Sequence, residues 1–323
     1  MIFKRIQDRI KPELDGMNMF IQESIKSPMP ILNSIVCGYL GKRGKQIRPL
    51  LVILSAELLG GVNERVLHAG ASIEILHNAS LIHDDVIDQS MYRRGIPTVN
   101  AVWDNHIAVL TGDYLVSKAL DESILAGSME VVKLMSHLAD ILSEGELHQI
   151  FVAREHDFSI RKYVRTVEMK TAILFESCVR MGAEASGVGE DKRRWLERYA
   201  YYMGMCFQIR DDIFDYIGQD DFGKASGHDL REGKVTLPLL YALQTVSKSE
   251  SEKMKKIIEK DELEDDDVAT LTKFAVDNGG IEFCRRVMDR LREKALFCLS
   301  HYPECEARKD LEDIFTFIIN RTH

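Results

Sequence analysis

At 323 residues, 45% of them hydrophobic and with a net charge of −9, the chain has the composition of a globular protein. It is too acidic for bulk nucleic-acid binding. No apolar run approaches the roughly 18 residues of a membrane span, and six scattered cysteines with no C-x-x-C pair point to buried thiols in a reduced, cytoplasmic protein.

In chain order, nearly every segment carries helical spacing. Residues 1–6 have amphipathic spacing with acids soon after, and read as helix rather than as a signal or transit segment. Residues 48–59 are rich in Leu, Val and Ile and stop at Gly60-Gly61. Residues 66–90 form a long helix that is apolar most of the way round, hence buried. Further helices are expected at about 99–125, 129–155, 160–186, 191–219 and 234–246, then at 251–260, 266–278 and 280–300. Alternating strand patterns are absent, and no Pro- or Gly-rich linker divides the chain. The expectation is one all-α domain over 1–323, a helical bundle around a buried central helix pair. Two Gly-containing basic loops interrupt it, at 92–98 and 220–234. The acidic run 261–267 reads as a solvated connection between helices.

Chemistry concentrates in two D-D-x-x-D motifs, Asp84-Asp85-Val86-Ile87-Asp88 and Asp211-Asp212-Ile213-Phe214-Asp215. From the first to the last aspartate of each is about 6 Å along a helix axis, so the outer two carboxylates share a face. On the same stripe as Asp84 and Asp88 lie Ile73, His77 and Ser80; Gly204 and Gln208 share the face of Asp211 and Asp215. One such motif alone reads as a solvated helix end. Two, each on an apolar helix and each followed by a basic loop, point to hard divalent cations shared with substrate phosphates. The cations to hold those phosphates are Lys45 and Arg48 beside Pro49, Arg93-Arg94, Lys170 with Thr171, and Lys224 and Lys234. Singly, each has a plainer reading as surface charge or a snorkelling side chain.

Together these residues resemble the trans-isoprenyl diphosphate synthases, enzymes that build linear polyprenyl diphosphates. The likeness runs from Gly44-Lys45-x-x-Arg48-Pro49 through Leu81-Ile82-His83-Asp84-Asp85 and Arg93-Arg94-Gly95 to Gly112-Asp113 and Lys170-Thr171. It continues through Phe207-Gln208-Ile209-x-Asp211-Asp212 to Gly233-Lys234-x-Thr236-Leu237-Pro238. The resemblance implies an all-α fold around a central cavity, a homodimer, and three Mg²⁺ ions with substrate bound. It makes Asp84, Asp88 and Asp211 metal ligands, with Asp85, Asp212 and Asp215 supporting them. It assigns Lys45, Arg48, His77 and Arg94 to isopentenyl diphosphate. Arg93, Lys170, Thr171, Gln208, Lys224 and Lys234 go to the allylic diphosphate. Transient membrane contact for product release is compatible with it.

Ala79 and Ser80 stand five and four residues before Asp84, and both are small. In the resembled family this pair accompanies long products of about thirty carbons or more, with octaprenyl as the central expectation; Val116 and Met135 are candidates for the deeper wall. A short-chain farnesyl or geranylgeranyl synthase would be expected to carry bulk there. A terpene cyclase would replace the second motif, and a non-catalytic regulatory subunit of a heteromeric synthase would have degraded motifs. A helical scaffold would need none of these charges.

Overall fold

The structure, a computed structural model, describes residues 2–41, 44–93, 95–217, 227–260 and 262–320. Three helices open the chain: α1 (Ile2–Arg9), α2 (Lys11–Ser24) and α3 (Pro30–Leu40). Then come α4 (Ile47–Leu59) and the long α5 (Glu64–Ile87). A two-residue antiparallel pair, β1 (Tyr92–Arg93) and β2 (Ile96–Pro97), precedes α6 (Val99–Val102), α7 (Asn105–Leu125) and α8 (Met129–Arg154). Helix α9 (Ile160–Val167) runs through a π-helical turn at Glu168–Ala172 into α10 (Ile173–Ala185). The remainder is α11 (Glu190–Ile217), α12 (His228–Arg231), α13 (Leu237–Thr245), α14 (Lys248–Ile258), α15 (Asp265–Asp277), α16 (Gly280–Leu299) and α17 (Glu306–Asn320).

The all-α expectation holds among the described residues, apart from the β1–β2 pair, which is too short to leave an alternating pattern. Residues 99–125 divide into α6 and α7 because Asp104 caps α7, its side chain accepting from the Ile107 N–H at 2.8 Å. The acidic run is less a connection than a helix start. Glu264 and Asp267 form a capping box, and Asp265 to Asp267 occupy the first turn of α15, where the helix dipole favours negative charge. Helices α1, α2, α3 and α17 carry no motif; only the first is marked by its spacing.

The chain folds as two compact units. The first comprises Met1–Ala139, Phe175–Glu197 and Leu299–Ile314, the second Asp140–Leu174, Arg198–Cys298 and Phe315–His323. The chain passes from one to the other after Ala139, Leu174, Glu197, Cys298 and Ile314, each time inside a helix, so no linker sets them apart.

In the first unit α5 is the axis. Helices α2, α4 and α7 pack on it, and Ala69, Ile73, Leu76, Ala79 and Ile82 are buried along it. The approach of α7 is close: a Cβ on Gly112 would stand 2.1 Å from Nε2 of His83, so a larger residue there requires the imidazole to move aside. Asn63 caps α5 by accepting from the Val66 N–H at 3.2 Å. Arg9 forks onto Glu57 at 2.7 and 2.8 Å and, with Arg5, grips the fully buried Asp310, tying α1 to α4 and α17. In the second unit α13 packs against α9, α14 and α15, and Tyr241 stacks on Phe283 of α16 at 4.0 Å.

Candidate active site

Both aspartate motifs lie at helix C-termini. Asp84 and Asp85 are in the last turn of α5, and Asp88 caps it, its N–H still bonding to the Asp84 carbonyl at 2.8 Å. Asp211, Asp212 and Asp215 fall in the last two turns of α11. A helix C-terminus carries partial negative charge, so carboxylates there are unfavourable until cations offset them. Neither helix has a basic residue in its last turn.

In the first unit the middle aspartate of the motif turns inward. Asp85 is 1% exposed, and its Oδ1 accepts from Arg93 Nε at 2.9 Å and Nη2 at 2.8 Å. Burial works against the Arg93 charge, but the bond to Asp85 together with the charges of Asp85 and Asp84 outweighs it and raises the guanidinium pKa. Arg93 is carried by β1. Thr98 and Asn100 hold that loop at its base, both donating to the Ser90 carbonyl, at 2.8 and 3.0 Å. Arg94 lies outside the described residues.

The predicted isopentenyl diphosphate residues are set by α4 and α5. Gln46, at the N-cap of α4, has a left-handed backbone (φ 51°). Its side chain donates to Asn18 Oδ1 at 2.9 Å, while Gln7 reaches the Lys45 carbonyl at 3.3 Å. Arg48 follows in the first helical turn, its guanidinium 5.9 Å from the ring centroid of Phe175. Pro49 is tolerated there because its missing N–H is one the helix start does not use. On α5, His77 is half-buried, and its carbonyl accepts the Ser80 hydroxyl at 2.9 Å. Ala79 is fully buried and Ser80 half-buried. Met135 is buried on α8, but Val116 is 38% exposed on the outer side of α7 and is not part of a buried wall.

In the second unit the π-helical turn presents Lys170 and Thr171. Two glycines admit it. A Cβ on Gly145 of α8 would meet Met169 Cβ at 2.9 Å, and one on Gly204 of α11 would meet Ala172 Cα at 2.6 Å. Lys170 pairs with Glu146, a residue the sequence did not single out. The Thr171 hydroxyl donates to Gln208 Oε1 at 2.9 Å, and Gln208 Nε2 donates to Asp212 Oδ1 at 2.9 Å. Asp212 is 1% exposed and its carboxyl is pushed well above the usual range, chiefly by burial and then by the charge of Asp229.

Asp215 closes the motif by capping α12: its two oxygens accept from the His228 and Asp229 N–H groups at 2.8 and 3.1 Å. Lys234 donates to Glu232 at 2.7 Å. Burial pushes Glu232 up, but its bonds to His228 and Lys234 win and hold it at about 2. Burial, then Asp215, push Asp229 up to about 6. Lys224 lies outside the described residues.

Each unit thus brings carboxylates and cations together at a helix end. The middle aspartates Asp85 and Asp212, and Asp215, are tied to protein donors. The donor set is all carboxylate oxygen, the kind a hard cation such as Mg²⁺ takes. Among the described residues no three His, Cys, Asp or Glu side chains converge as a ready-made metal site. No described helix is long and apolar enough to cross a membrane.

The family model for polyprenyl synthetase matches residues 29–275. The chain is 33% identical over 326 residues to heptaprenyl diphosphate synthase component 2 of Geobacillus stearothermophilus, covering 100% of each sequence. Its fold is similar to that of a polyprenyl synthase from Caulobacter crescentus CB15, solved with calcium and isoprenyl diphosphate (TM-score 0.92, 29% identity, 99% of this chain and 98% of that one). It is also similar to a geranylgeranyl pyrophosphate synthase from Bacteroides thetaiotaomicron (TM-score 0.85, 34% identity, 98% of each).

Proposed function

The chain belongs to the polyprenyl synthetase family, which makes it a prenyltransferase, and from that membership we propose that it condenses isopentenyl diphosphate with an allylic diphosphate into a long all-trans polyprenyl diphosphate. The product has about thirty to fifty carbons, octaprenyl being the central expectation. The observation that carries this reading is the pair of aspartate-rich helix ends, each with a held cation: Arg93 on Asp85, and Lys170 and Lys234 on Glu146 and Glu232.

In this reading Asp84, Asp88 and Asp211 hold Mg²⁺, three ions with both substrates bound. The metal supplies the positive charge that turns diphosphate into a leaving group. Arg93, Lys170, Lys224 and Lys234, with Thr171 and Gln208, hold the allylic diphosphate and steady the charge growing on its oxygens. Lys45, Arg48, His77 and Arg94 orient isopentenyl diphosphate so that its double bond meets the allylic carbon as the carbon–oxygen bond breaks. A proton then leaves the new chain for the departing diphosphate. The buried apolar residues of α5 keep water from the cation. Asp85, Asp212 and Asp215 act through the side chains and backbone they hold.

Long-chain synthesis is supported by the small Ala79 and Ser80 and by the heptaprenyl relative. The geranylgeranyl neighbour keeps a twenty-carbon product as the second reading. The six cysteines are free thiols, which suits a reducing, cytoplasmic setting. The partner is a second copy of the chain, although the relative named component 2 points to heteromeric assembly in that enzyme.

The test is to incubate the purified chain with labelled isopentenyl diphosphate, an allylic diphosphate and Mg²⁺, and to size the dephosphorylated products by reversed-phase chromatography. A long polyprenol is expected, and Asp84→Ala or Asp211→Ala should cut turnover by orders of magnitude in a folded protein. A product stopping at twenty carbons selects the second reading. A chain inactive alone and active only with a second protein selects the heteromer.

A further inference from the structure

Tyr163 carries no motif, yet it completes a chain of hydrogen bonds that runs through three elements. It sits on α9, 8% exposed, and its hydroxyl donates to Oδ2 of Asp212. The other oxygen of Asp212 takes the Gln208 amide, and Gln208 in turn takes the Thr171 hydroxyl, each at 2.9 Å. Both oxygens of Asp212 are bonded, one to Tyr163 and one to the NH₂ of Gln208, which leaves the Gln208 Oε1 for Thr171. Every donor in the chain then points toward Asp212, and the polarity of all three bonds is set at that residue. Burial, then the charge of Asp212, hold the Tyr163 phenol well above its ordinary range, so it stays a donor. Of the two residues this chain locks, Thr171 adjoins Lys170 and Gln208 lies one turn before Asp211 on α11. A phenylalanine would fill the same volume, so packing alone does not account for the hydroxyl.

We infer that Tyr163 is a positioning residue for the allylic-diphosphate end of the reaction, acting through Asp212 on Gln208 and Thr171. The inference rests on the prenyltransferase reading above. By taking the oxygen that Gln208 does not, Tyr163 fixes the orientation of the Asp212 carboxylate. Without it, that carboxyl group loses one of its two bonds and can rotate or draw in water, and the Gln208 amide and Thr171 hydroxyl lose their set orientation.

The experiment compares wild type with Tyr163→Phe, Tyr163→Leu and Tyr163→Gln by steady-state kinetics, varying each substrate and Mg²⁺ separately, with thermal melts to establish folding. Tyr163→Phe should lower kcat/KM for the allylic diphosphate about ten- to hundredfold and raise the half-saturating Mg²⁺ concentration. Its KM for isopentenyl diphosphate should stay within about twofold of wild type. Tyr163→Gln, which keeps a donor, should recover part of what Tyr163→Leu loses. Wild-type allylic kinetics in Tyr163→Phe, or equal losses on both substrates, would overturn the inference. If Tyr163→Phe does not fold, the Gln and Leu variants decide it, equal activity between them counting against. A wild type that makes no prenyl product sinks the underlying reading instead.

Discussion

Asp229 is a side chain whose charge works against the fold. It is pushed up to about 6 by burial, with the charge of Asp215 adding to it. A carboxyl whose folded pKa lies above its unfolded value favours the folded state when protonated. That contribution is full below the unfolded pKa and is lost as pH rises through about 6. Asp229→Asn should therefore raise the melting temperature of the metal-free protein at pH 8 and leave it little changed at pH 4. Equal melting shifts at both pH values would mean that Asp229 ionises freely in the fold. Arg48 offers a second test, of substrate assignment. Arg48→Ala should raise KM for isopentenyl diphosphate tens- to hundredfold, with the allylic KM nearly unchanged; the reverse pattern would exchange the two sites. At this scale the sequence was informative about residues that carry charge in a motif and silent about their holders. Glu146, Tyr163, Asn18 and Gln7 have no special spacing. They matter because folding brings them to Lys170, Asp212, Gln46 and Lys45, partners 24 to 49 residues further along the chain.

Helix periodicity made most elements legible, α5 and α11 above all, because a long buried face leaves a long apolar pattern. The π-helical turn at Glu168–Ala172 was not legible: one extra residue in a turn shifts the pattern by about 100°, within the tolerance of any periodic reading. The glycines beside it are its trace. Gly204→Ala would push a methyl to 2.6 Å from Ala172 Cα, backbone that cannot step aside. The π-helical turn should then separate from α11 and break the Thr171–Gln208 bond, with allylic turnover falling at least tenfold and stability by about 1–3 kcal/mol. Unchanged kinetics in a folded Gly204→Ala protein would show that the close approach is not needed. On α5 the relevant feature is small side chains. Ala79 is fully buried, and a tyrosine there has no space unless a product channel supplies it. If the chain grows along this face, Ala79→Tyr should shorten the main product to about fifteen or twenty carbons while early condensations continue, at a cost of about 1–3 kcal/mol in stability. Ser80→Phe should act similarly. A folded variant with an unchanged long product would put the channel elsewhere.

For the whole molecule, all-α character and the absence of a linker were readable from composition and periodicity. The division into two compact units was not, because each crossing lies within a continuous helix and leaves no mark in the sequence. Nor was the surface of α7. One side of that helix is buried through Ala108, Thr111, Gly112, Leu115 and Ala119, which mixes small residues with one leucine. The other side exposes larger ones: Leu110 at 66%, Ile124 at 57%, and Val109, Val116 and Leu120 at 38–44%. A sequence reading assigns the larger apolar residues to the core, and here the assignment is inverted: the buried side of α7 carries mostly small residues and the larger ones are exposed. A run of exposed apolar residues along several turns is more than the scattered few a monomer carries, and burying it against an identical helix would remove it from water on both copies at once. The proposed homodimer is therefore expected to use α7. Light scattering should give twice the chain mass for the wild type at micromolar concentration, and the chain mass for a Leu110→Lys, Leu120→Lys double variant. Because both substitutions are at exposed positions, the variant should keep its helical content and lose only association. A monomeric wild type would remove the homodimer, and a double variant that stays dimeric would place its interface on another face.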